Sequence, residues 1–175
     1  MTVAPTIDLE AVTLRYQNVY SPGQSLSNPY TRILSIFSAL IRQGKEINVF
    51  EDGLESRDFV YIDDVVESTY LATTSRRAAG GVFNVGAGAS ITVLDVIEAL
   101  FDAYGTRVPT RISGNYRLGD IRHNVADMTR LREVLGFTPS VSFAEGVRAF
   151  AAWVLTEPAK SDAYQRPLDA MATRN

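Results

Sequence analysis

The chain has 175 residues, of which 46% are hydrophobic and 21% charged, a balance that excludes disordered and fibrous proteins and fits an ordinary globular chain. Its formal net charge is -3, so the overall field does not favour nucleic acid or an anionic membrane, and any anion site must be local. There is no cysteine and only one histidine, His123, which excludes disulfides and zinc-thiolate sites and leaves little for a metal cluster. We expect a cytoplasmic protein without a membrane span.

The first part of the chain predicts three strands and two helices. Alternating or apolar runs between turn residues predict strands at 12–16, 47–50 and 58–62. Apolar residues at helical spacing predict a helix over 31–42 that is closed by Gly44. The second helix follows the third strand, runs to about Ser75, and is expected to have Asp63 or Asp64 as its cap.

The second part continues the same alternation. Strands are predicted at 82–85 and 110–113, and helices at 93–104, 127–135 and 143–156. Thr92 is the expected cap of the first of these helices and Gly105 its end. Strands that alternate with helices, without internal repeats, predict an α/β fold with some parallel pairing. We expect one unit over 12–157, between a lead at 1–11 and a loose tail at 158–175.

Four separated segments resemble the extended short-chain dehydrogenase/reductase family, in its NAD-dependent epimerase/dehydratase branch. They are Leu14–Gly23, Arg57–Asp64, Val82–Gly86, and Arg117–Arg122 followed by Ala126-Asp127. Within that family the chain is most similar to nucleoside-diphosphate-sugar 4-epimerases of the UDP-glucose or dTDP-rhamnose type. The resemblance implies a Rossmann-like enzyme with NAD as its cofactor and a UDP- or dTDP-sugar as its ligand.

Two family features are missing from this sequence. The family's glycine-rich NAD loop has no match, because Gly86-Ala87-Gly88 is followed by Ile91 where a third glycine would fall. The family's catalytic Tyr-x-x-x-Lys pair has no match either, since neither Lys45 nor Lys160 has a tyrosine four residues before it. We therefore expect the C-terminal, substrate-binding part of such an enzyme, with the N-terminal glycine-rich half absent, no catalytic residue, and no tight NAD binding by the chain alone.

The resemblance assigns two arginines to the diphosphate of the ligand. Arg57 would be one arm of a clamp, because a planar guanidinium offers two parallel donors. Arg117 would be the second arm, although Leu118 replaces the proline that is usual in its motif. The alternatives are a surface ion pair between Arg57 and Asp58 and a solvated loop arginine at position 117.

The resemblance assigns two further residues to the substrate. Asn18 would donate its side-chain amide to the diphosphate, and the alternative is a turn-initiating asparagine that bonds its own backbone. Phe50 would pack against the pyrimidine ring, and the alternative is a core phenylalanine at a strand end. Both alternatives stay open on the sequence.

The cofactor side of the resemblance involves Tyr16 and Val19, which match positions that border the nicotinamide. We interpret His123 as a polar surface or loop residue rather than a catalytic one. Ser21 stands where the family usually has glycine after Asn-Val-Tyr, and if that position needs a positive φ the loop would be strained.

Three functions remain open on the sequence. The first is the nucleotide-sugar-binding part of an NAD-dependent 4-epimerase, which holds diphosphate and pyrimidine while another half transfers hydride and proton. The second is a non-catalytic nucleotide-sugar-binding or partner module, and the third is part of a sugar 4,6-dehydratase. We expect the partner to be a second copy of the chain or a complementary N-terminal half, because its interior-type strands would otherwise be exposed.

Overall fold

The computed structural model describes residues 10–26, 33–116 and 119–158. Most of the predicted lead (1–9) and tail (159–175), the first two residues of the predicted helix at 31–42, and Arg117 lie outside the described residues. The described residues divide into two compact units. The first unit takes in residues 10–20, 57–90 and 123–143, and the second takes in the remainder.

Nine strands and five α-helices are found in the described part of the chain. The strands are β1 (Thr13–Tyr16), β2 (Asn18–Tyr20), β3 (Ile47–Val49), β4 (Ser56–Arg57), β5 (Phe59–Tyr61), β6 (Val82–Val85), β7 (Ile91–Thr92), β8 (Thr110–Ile112) and β9 (His123–Asn124). The helices are α1 (Ile33–Arg42), α2 (Ile62–Thr74), α3 (Val93–Tyr104), α4 (Thr129–Leu135) and α5 (Phe143–Thr156). None of these helices is long and apolar enough to cross a membrane.

The first unit is built on two parallel strand pairs. β1 pairs with β6 in a register that sets Tyr16 beside Val85, and β2 pairs with β5 in a register that sets Asn18 beside Phe59. Helix α2 contacts β2 and β5, and α4 contacts β6. These elements enclose an apolar core that consists of Val60, Val65, Ala78, Phe83, Val85, Ala126, Met128, Leu131 and Phe137. The predicted α/β fold with parallel pairing is thereby confirmed.

The second unit has its own parallel pair and its own buried side chains. β3 pairs with β8, in a register that sets Val49 beside Ile112. Helix α1 contacts both β3 and α3, so that the apolar faces of these elements are turned inward. Leu34, Ile47 and Leu100 are completely buried there.

The helix ends that follow local rules agree with the sequence. Thr92 caps α3 through a capping box, in which its hydroxyl accepts from the Asp95 N–H at 3.1 Å and the Asp95 carboxylate accepts from the Thr92 N–H at 2.9 Å. Gly105 follows α3 with φ 63° and Gly136 follows α4 with φ 70°, the left-handed conformation that glycine adopts without a steric penalty.

The predicted cap of α2 is wrong. Helix α2 begins at Ile62 after Tyr61, which makes no side-chain capping bond, so Asp63 and Asp64 lie in the first turn instead of before it. Asp64 is buried, and its carboxylate accepts from the Ser140 N–H at 2.8 Å and from the Val141 N–H at 3.2 Å. The Asp64 carboxylate therefore binds a distant loop instead of capping the helix. Asp63 is exposed, and its negative charge interacts favourably with the positive N-terminal end of the helix dipole.

Two boundaries also differ from the sequence-based prediction. The short strand β2 was not among the predicted strands, and it forms because the chain resumes pairing there with a different strand. Helix α4 begins at Thr129 instead of 127, since the Asp127 carboxylate accepts from the Thr129 N–H at 2.9 Å and forms a turn before the helix.

Candidate functional site

The candidate site in the first unit lies where the chain changes strand partners, between β1 and β2. The Gln17 N–H still donates to the Val85 carbonyl of β6 at 2.9 Å, whereas the Asn18 N–H already donates to the Asp58 carbonyl beside β5 at 3.0 Å. The Val19 N–H donates to the Gln17 carbonyl at 2.8 Å, a two-residue span typical of a γ-turn. We call residues 16–19, Asp58 and the loop 86–88 the strand-switch site. In open α/β sheets, ligands bind outside the carboxyl ends of parallel strands, and Tyr16 and Val85 end the parallel pair β1–β6 at this site.

Asn18 has a fixed side chain at this site. Its Nδ2 donates to the Asp58 carbonyl oxygen at 3.1 Å, the oxygen that also accepts from the Asn18 backbone. The alternative of a turn-forming asparagine bonded to its own backbone is not observed, because the acceptor lies 40 residues away. An amide nitrogen carries two N–H groups, so this bond orients the second N–H as well.

Asp58 is the central residue of the strand-switch site, a role that was not predicted from the sequence. Its carboxylate is completely buried and accepts from the N–H groups of Ala87 at 2.7 Å, Gly88 at 3.0 Å and Ala126 at 3.0 Å. The interpretation of Arg57 and Asp58 as a surface ion pair is wrong, because this carboxylate is not at the surface. A charged residue directly before the apolar run Phe59-Val60 was the available signal, since buried carboxylates need several donors.

The loop after β6 is shaped by the same carboxylate. A Cβ added at Gly86 would lie 2.3 Å from Asp58 Oδ2 and 2.9 Å from the Ala126 Cβ, so only glycine fits there. The N–H groups of Ala87 and Gly88 both donate to Asp58. These donors already serve an internal anion, which agrees with the prediction that Gly86-Ala87-Gly88 is a turn and not a pyrophosphate loop.

Three other residues with predicted roles lie at or beside this site. Tyr16 is 45% exposed, and its hydroxyl lies 2.9 Å from Thr69 Oγ1. The Thr69 hydroxyl donates its single hydrogen to the Val65 carbonyl at 2.6 Å. It can therefore only accept from the Tyr16 hydroxyl, and the lone pairs of the Tyr16 oxygen point away from Thr69. Val19 is half-buried in β2, and Arg57 is half-buried in β4, one residue before Asp58.

Tyr20, also in the first unit, belongs to the core and not to the site chemistry. Its ring packs edge-on against Phe59, Tyr61 and Phe143. Burial raises the pKa of the Tyr20 hydroxyl far above its ordinary value, and the charges of Tyr61 and Asp64 add to the shift. Such a phenol stays protonated near neutral pH, which excludes it as a general base.

Phe50 lies in the second unit, directly after β3, and is half-buried. The turn that follows it contains Glu51, which has φ 46° and is the one non-glycine residue with a positive φ in the described chain. Arg122 holds this turn, because its guanidinium donates to Glu51 Oε2 at 2.8 Å and to Asp52 Oδ2 at 2.6 Å. The hydrogen bond from Arg122 and that from the Leu54 N–H hold the pKa of the Asp52 carboxyl below its usual value.

The other sequence-based expectations are settled in part. Ser21 is not among the residues with positive φ, so the backbone strain that a missing glycine would cause at this position is absent. The Ser21 N–H donates to Gln24 Oε1 at 3.3 Å. His123 is exposed. Arg117 lies outside the described residues. Within the described ranges, no three His, Asp or Glu side chains are arranged to hold a metal ion.

Comparisons with known proteins identify what the chain is similar to. Residues 2–86 match the family model described as the NAD dependent epimerase/dehydratase family. The chain is 38% identical over 144 residues to dTDP-L-rhamnose 4-epimerase from Burkholderia thailandensis, a match that covers 82% of this chain and 39% of the relative. It is 34% identical over 140 residues to UDP-glucose 4-epimerase from Mycolicibacterium smegmatis, covering 80% of this chain and 44% of the relative.

A solved structure shares the fold of the chain. UDP-glucose 4-epimerase from Thermotoga maritima, determined with UDP-glucose, has 33% sequence identity and a TM-score of 0.75, and the match covers 87% of this chain and 48% of that one. The chain therefore spans less than half the length of the curated relatives and of the solved structure that it matches.

Proposed function

We propose, from the premise that this chain belongs to the NAD-dependent epimerase/dehydratase family, that it holds the nucleotide sugar in a nucleoside-diphosphate-sugar 4-epimerase. In this proposal the chain binds the diphosphate and the pyrimidine of a UDP- or dTDP-sugar. Hydride transfer is the chemistry that NAD supplies when bound, and proton transfer requires a Tyr-x-x-x-Lys pair that this sequence does not contain.

The strand-switch site is the observation that carries the proposal. It combines the carboxyl ends of parallel strands, where α/β proteins bind ligands, with the Asn18 amide, which is oriented by its bond to Asp58. A neutral amide donor that is fixed before the ligand arrives loses little entropy on binding. Such a donor suits an anionic oxygen of a diphosphate.

The remaining ligand roles are proposed from the motifs. Arg57 and Arg117 donate to the diphosphate, and Phe50 packs against the pyrimidine ring. The half-buried positions of Arg57 and Phe50 are compatible with this, because a ligand-binding side chain needs both support and access. Arginine stays charged throughout the physiological range, so a guanidinium at either position is cationic when a diphosphate binds.

The cofactor roles are proposed in the same way. Tyr16 and Val19 border the nicotinamide of NAD at the carboxyl end of β1 and in β2. The residues fit such a group in part: Tyr16 presents a partly exposed aromatic ring, and its hydroxyl is held by Thr69. The glycine loop 86–88 takes no part, because two of its N–H groups serve Asp58.

Two alternative functions make different predictions. A sugar 4,6-dehydratase would bind the same nucleotide through the same residues, and the family description includes dehydratases; only the reaction products distinguish the two enzymes. A non-catalytic nucleotide-sugar-binding or partner module would bind the ligand but give no product even when the chain is mixed with the N-terminal half of a 4-epimerase. Formation of product in that mixture would support the proposal that the chain is part of an enzyme and would argue against the non-catalytic module.

Calorimetry with UDP, dTDP and uridine tests the proposed function on the full chain. We expect Arg57→Ala and Arg117→Ala each to lose about tenfold or more in affinity for the diphosphates, since a charge-assisted hydrogen bond contributes about 1.5–3 kcal/mol. Uridine affinity should change little. Arg107→Ala is the matched control, because Arg107 is an exposed arginine that pairs with Glu98 at 2.7 Å. Equal losses for diphosphate and nucleoside would overturn the clamp.

A further inference from the structure

Asp58 joins three stretches of the first unit that are remote in sequence. Its backbone carbonyl accepts from the N–H and from the side-chain amide of Asn18. Its carboxylate accepts from the loop after β6, through Ala87 and Gly88, and from Ala126 before α4. One buried residue therefore receives five hydrogen bonds that fix the strand switch and the loop beside it.

The chemistry of this position requires a carboxylate. Oδ1 accepts one N–H and Oδ2 accepts two, so both oxygens act only as acceptors. An asparagine of the same shape would turn an NH2 group toward at least one backbone N–H, which replaces an attractive contact with a repulsive one. The absence of a side chain at Gly86 gives the carboxylate the space it occupies, since an added Cβ would lie 2.3 Å from Oδ2.

The carboxylate and the carbonyl of Asp58 act on different partners, but they move together. The loop N–H groups anchor the side chain of Asp58, and the anchored residue sets the position of its own carbonyl oxygen. That oxygen orients the Asn18 amide through one of its two N–H groups. A change at the carboxylate should therefore reach Asn18 without any direct contact between Asn18 and the loop 86–88.

We infer that Asp58 is a positioning residue: its buried carboxylate locks the strand switch so that the Asn18 amide is aimed at the diphosphate of the ligand. The inference rests on the proposed function for the identity of the ligand, but its structural part stands on the contacts alone. Asp58 itself touches no ligand, because its carboxylate is completely buried and its oxygens accept backbone N–H groups.

Asp58→Asn tests the inference, with Asp64→Asn as the matched control. Both aspartates are buried in the first unit and accept hydrogen bonds from distant backbone N–H groups, so both variants should lose stability. Asp64, however, holds Ser140 and Val141 and not the strand switch. A purely structural role for Asp58 would make the two variants behave alike.

The first readout is amide hydrogen exchange by NMR on the full chain. In Asp58→Asn we expect the N–H groups of Ala87, Gly88 and Ala126 to exchange at least tenfold faster, and the Asn18 side-chain amide resonances to shift. Asp64→Asn should change neither. Unshifted Asn18 resonances in Asp58→Asn would overturn the inference, whether or not the protein binds a nucleotide.

The second readout is the ratio of UDP affinity to uridine affinity by calorimetry. Asp58→Asn should lower this ratio about tenfold, as expected when one oriented donor is lost, and Asp64→Asn should leave it unchanged. Absence of UDP binding by the unaltered protein would overturn the proposed function, while hydrogen exchange would still decide the positioning role. An unchanged ratio in Asp58→Asn, with UDP bound by the unaltered protein, would overturn the inference.

If Asp58→Asn does not fold, amide hydrogen exchange on the unaltered chain tests the positioning role of Asp58 instead. The N–H groups of Ala87, Gly88 and Ala126 and the backbone N–H of Asn18 should then exchange with one common opening free energy, because a single residue holds all four. Independent opening of Asn18 would contradict the coupling.

Discussion

The side-chain amide of Asn18 and its backbone N–H both donate to the carbonyl oxygen of Asp58, at 3.1 Å and 3.0 Å. This double contact places Asn18 at the strand switch with a defined side-chain direction. The sequence motif offered Asn18 as a ligand donor, and the contact explains how such a donor is held in place.

Asn18→Ala is expected to lower UDP affinity about tenfold and uridine affinity little, because the amide is proposed to serve the diphosphate. Calorimetry with both ligands measures the difference. Asn84→Ala is a matched control, since the Asn84 amide also donates to a backbone carbonyl, that of Asp127, at 3.2 Å. A similar loss of UDP affinity in both variants would show that Asn18 acts on structure and not on the ligand.

Phe50→Ala is expected to weaken uridine binding by several fold while it lowers stability only moderately, because Phe50 is half-buried. Phe37→Ala is the control: Phe37 is 6% exposed in α1, and truncation of a core aromatic costs about 3–5 kcal/mol. Denaturant unfolding and calorimetry measure both effects. If Phe50→Ala costs as much stability as Phe37→Ala and leaves uridine affinity unchanged, Phe50 is a core residue.

Gly86→Ala is expected to lower the free energy of unfolding by about 2–3 kcal/mol, because the added methyl group would overlap Asp58 and Ala126. It should also accelerate amide exchange at Ala87 and Gly88. Gly80→Ala provides a comparison, since Gly80 has φ 68° but no atom within 4 Å of an added Cβ, so its cost is the backbone penalty of about 1–2 kcal/mol alone. Unchanged exchange at Ala87 in Gly86→Ala would contradict the proposed crowding.

Arg122→Ala is expected to raise the pKa of Asp52 toward its ordinary value, because the hydrogen bond from Arg122 is the largest cause of its depression. A carboxyl with a depressed folded-state pKa stabilises the fold above its unfolded pKa, and that contribution is lost as pH falls through the folded pKa. Removing Arg122 should therefore diminish the acid dependence of stability that comes from Asp52.

NMR titration of the carboxyl groups measures this change. Asp127 is the internal control, because its pKa is lowered mainly by hydrogen bonds from Thr129 and should stay where it is. An Asp52 pKa that does not rise in Arg122→Ala would show that the turn around Glu51 is held by other contacts.

The features that the sequence predicted well are local. Thr92 as the cap of α3, Gly105 as its end and the apolar face of α3 were predicted, because each involves interactions within a few residues that act wherever the segment lies. The extent of α5, from Phe143 to Thr156, was predicted from its apolar spacing for the same reason. The family motifs were read directly from the sequence, so family membership required no coordinates.

Only the tertiary structure decided which distant groups the charged residues contact. Asp58 meets donors that are 29 and 68 residues away, Asp64 meets Ser140 across 76 residues, and Arg122 reaches Asp52 across 70. Periodicity and capping carry no information about such partners, because strand register and loop path determine which N–H groups face a given carboxylate. A buried carboxylate is stable only where those distant donors converge, and that convergence is a property of the folded chain.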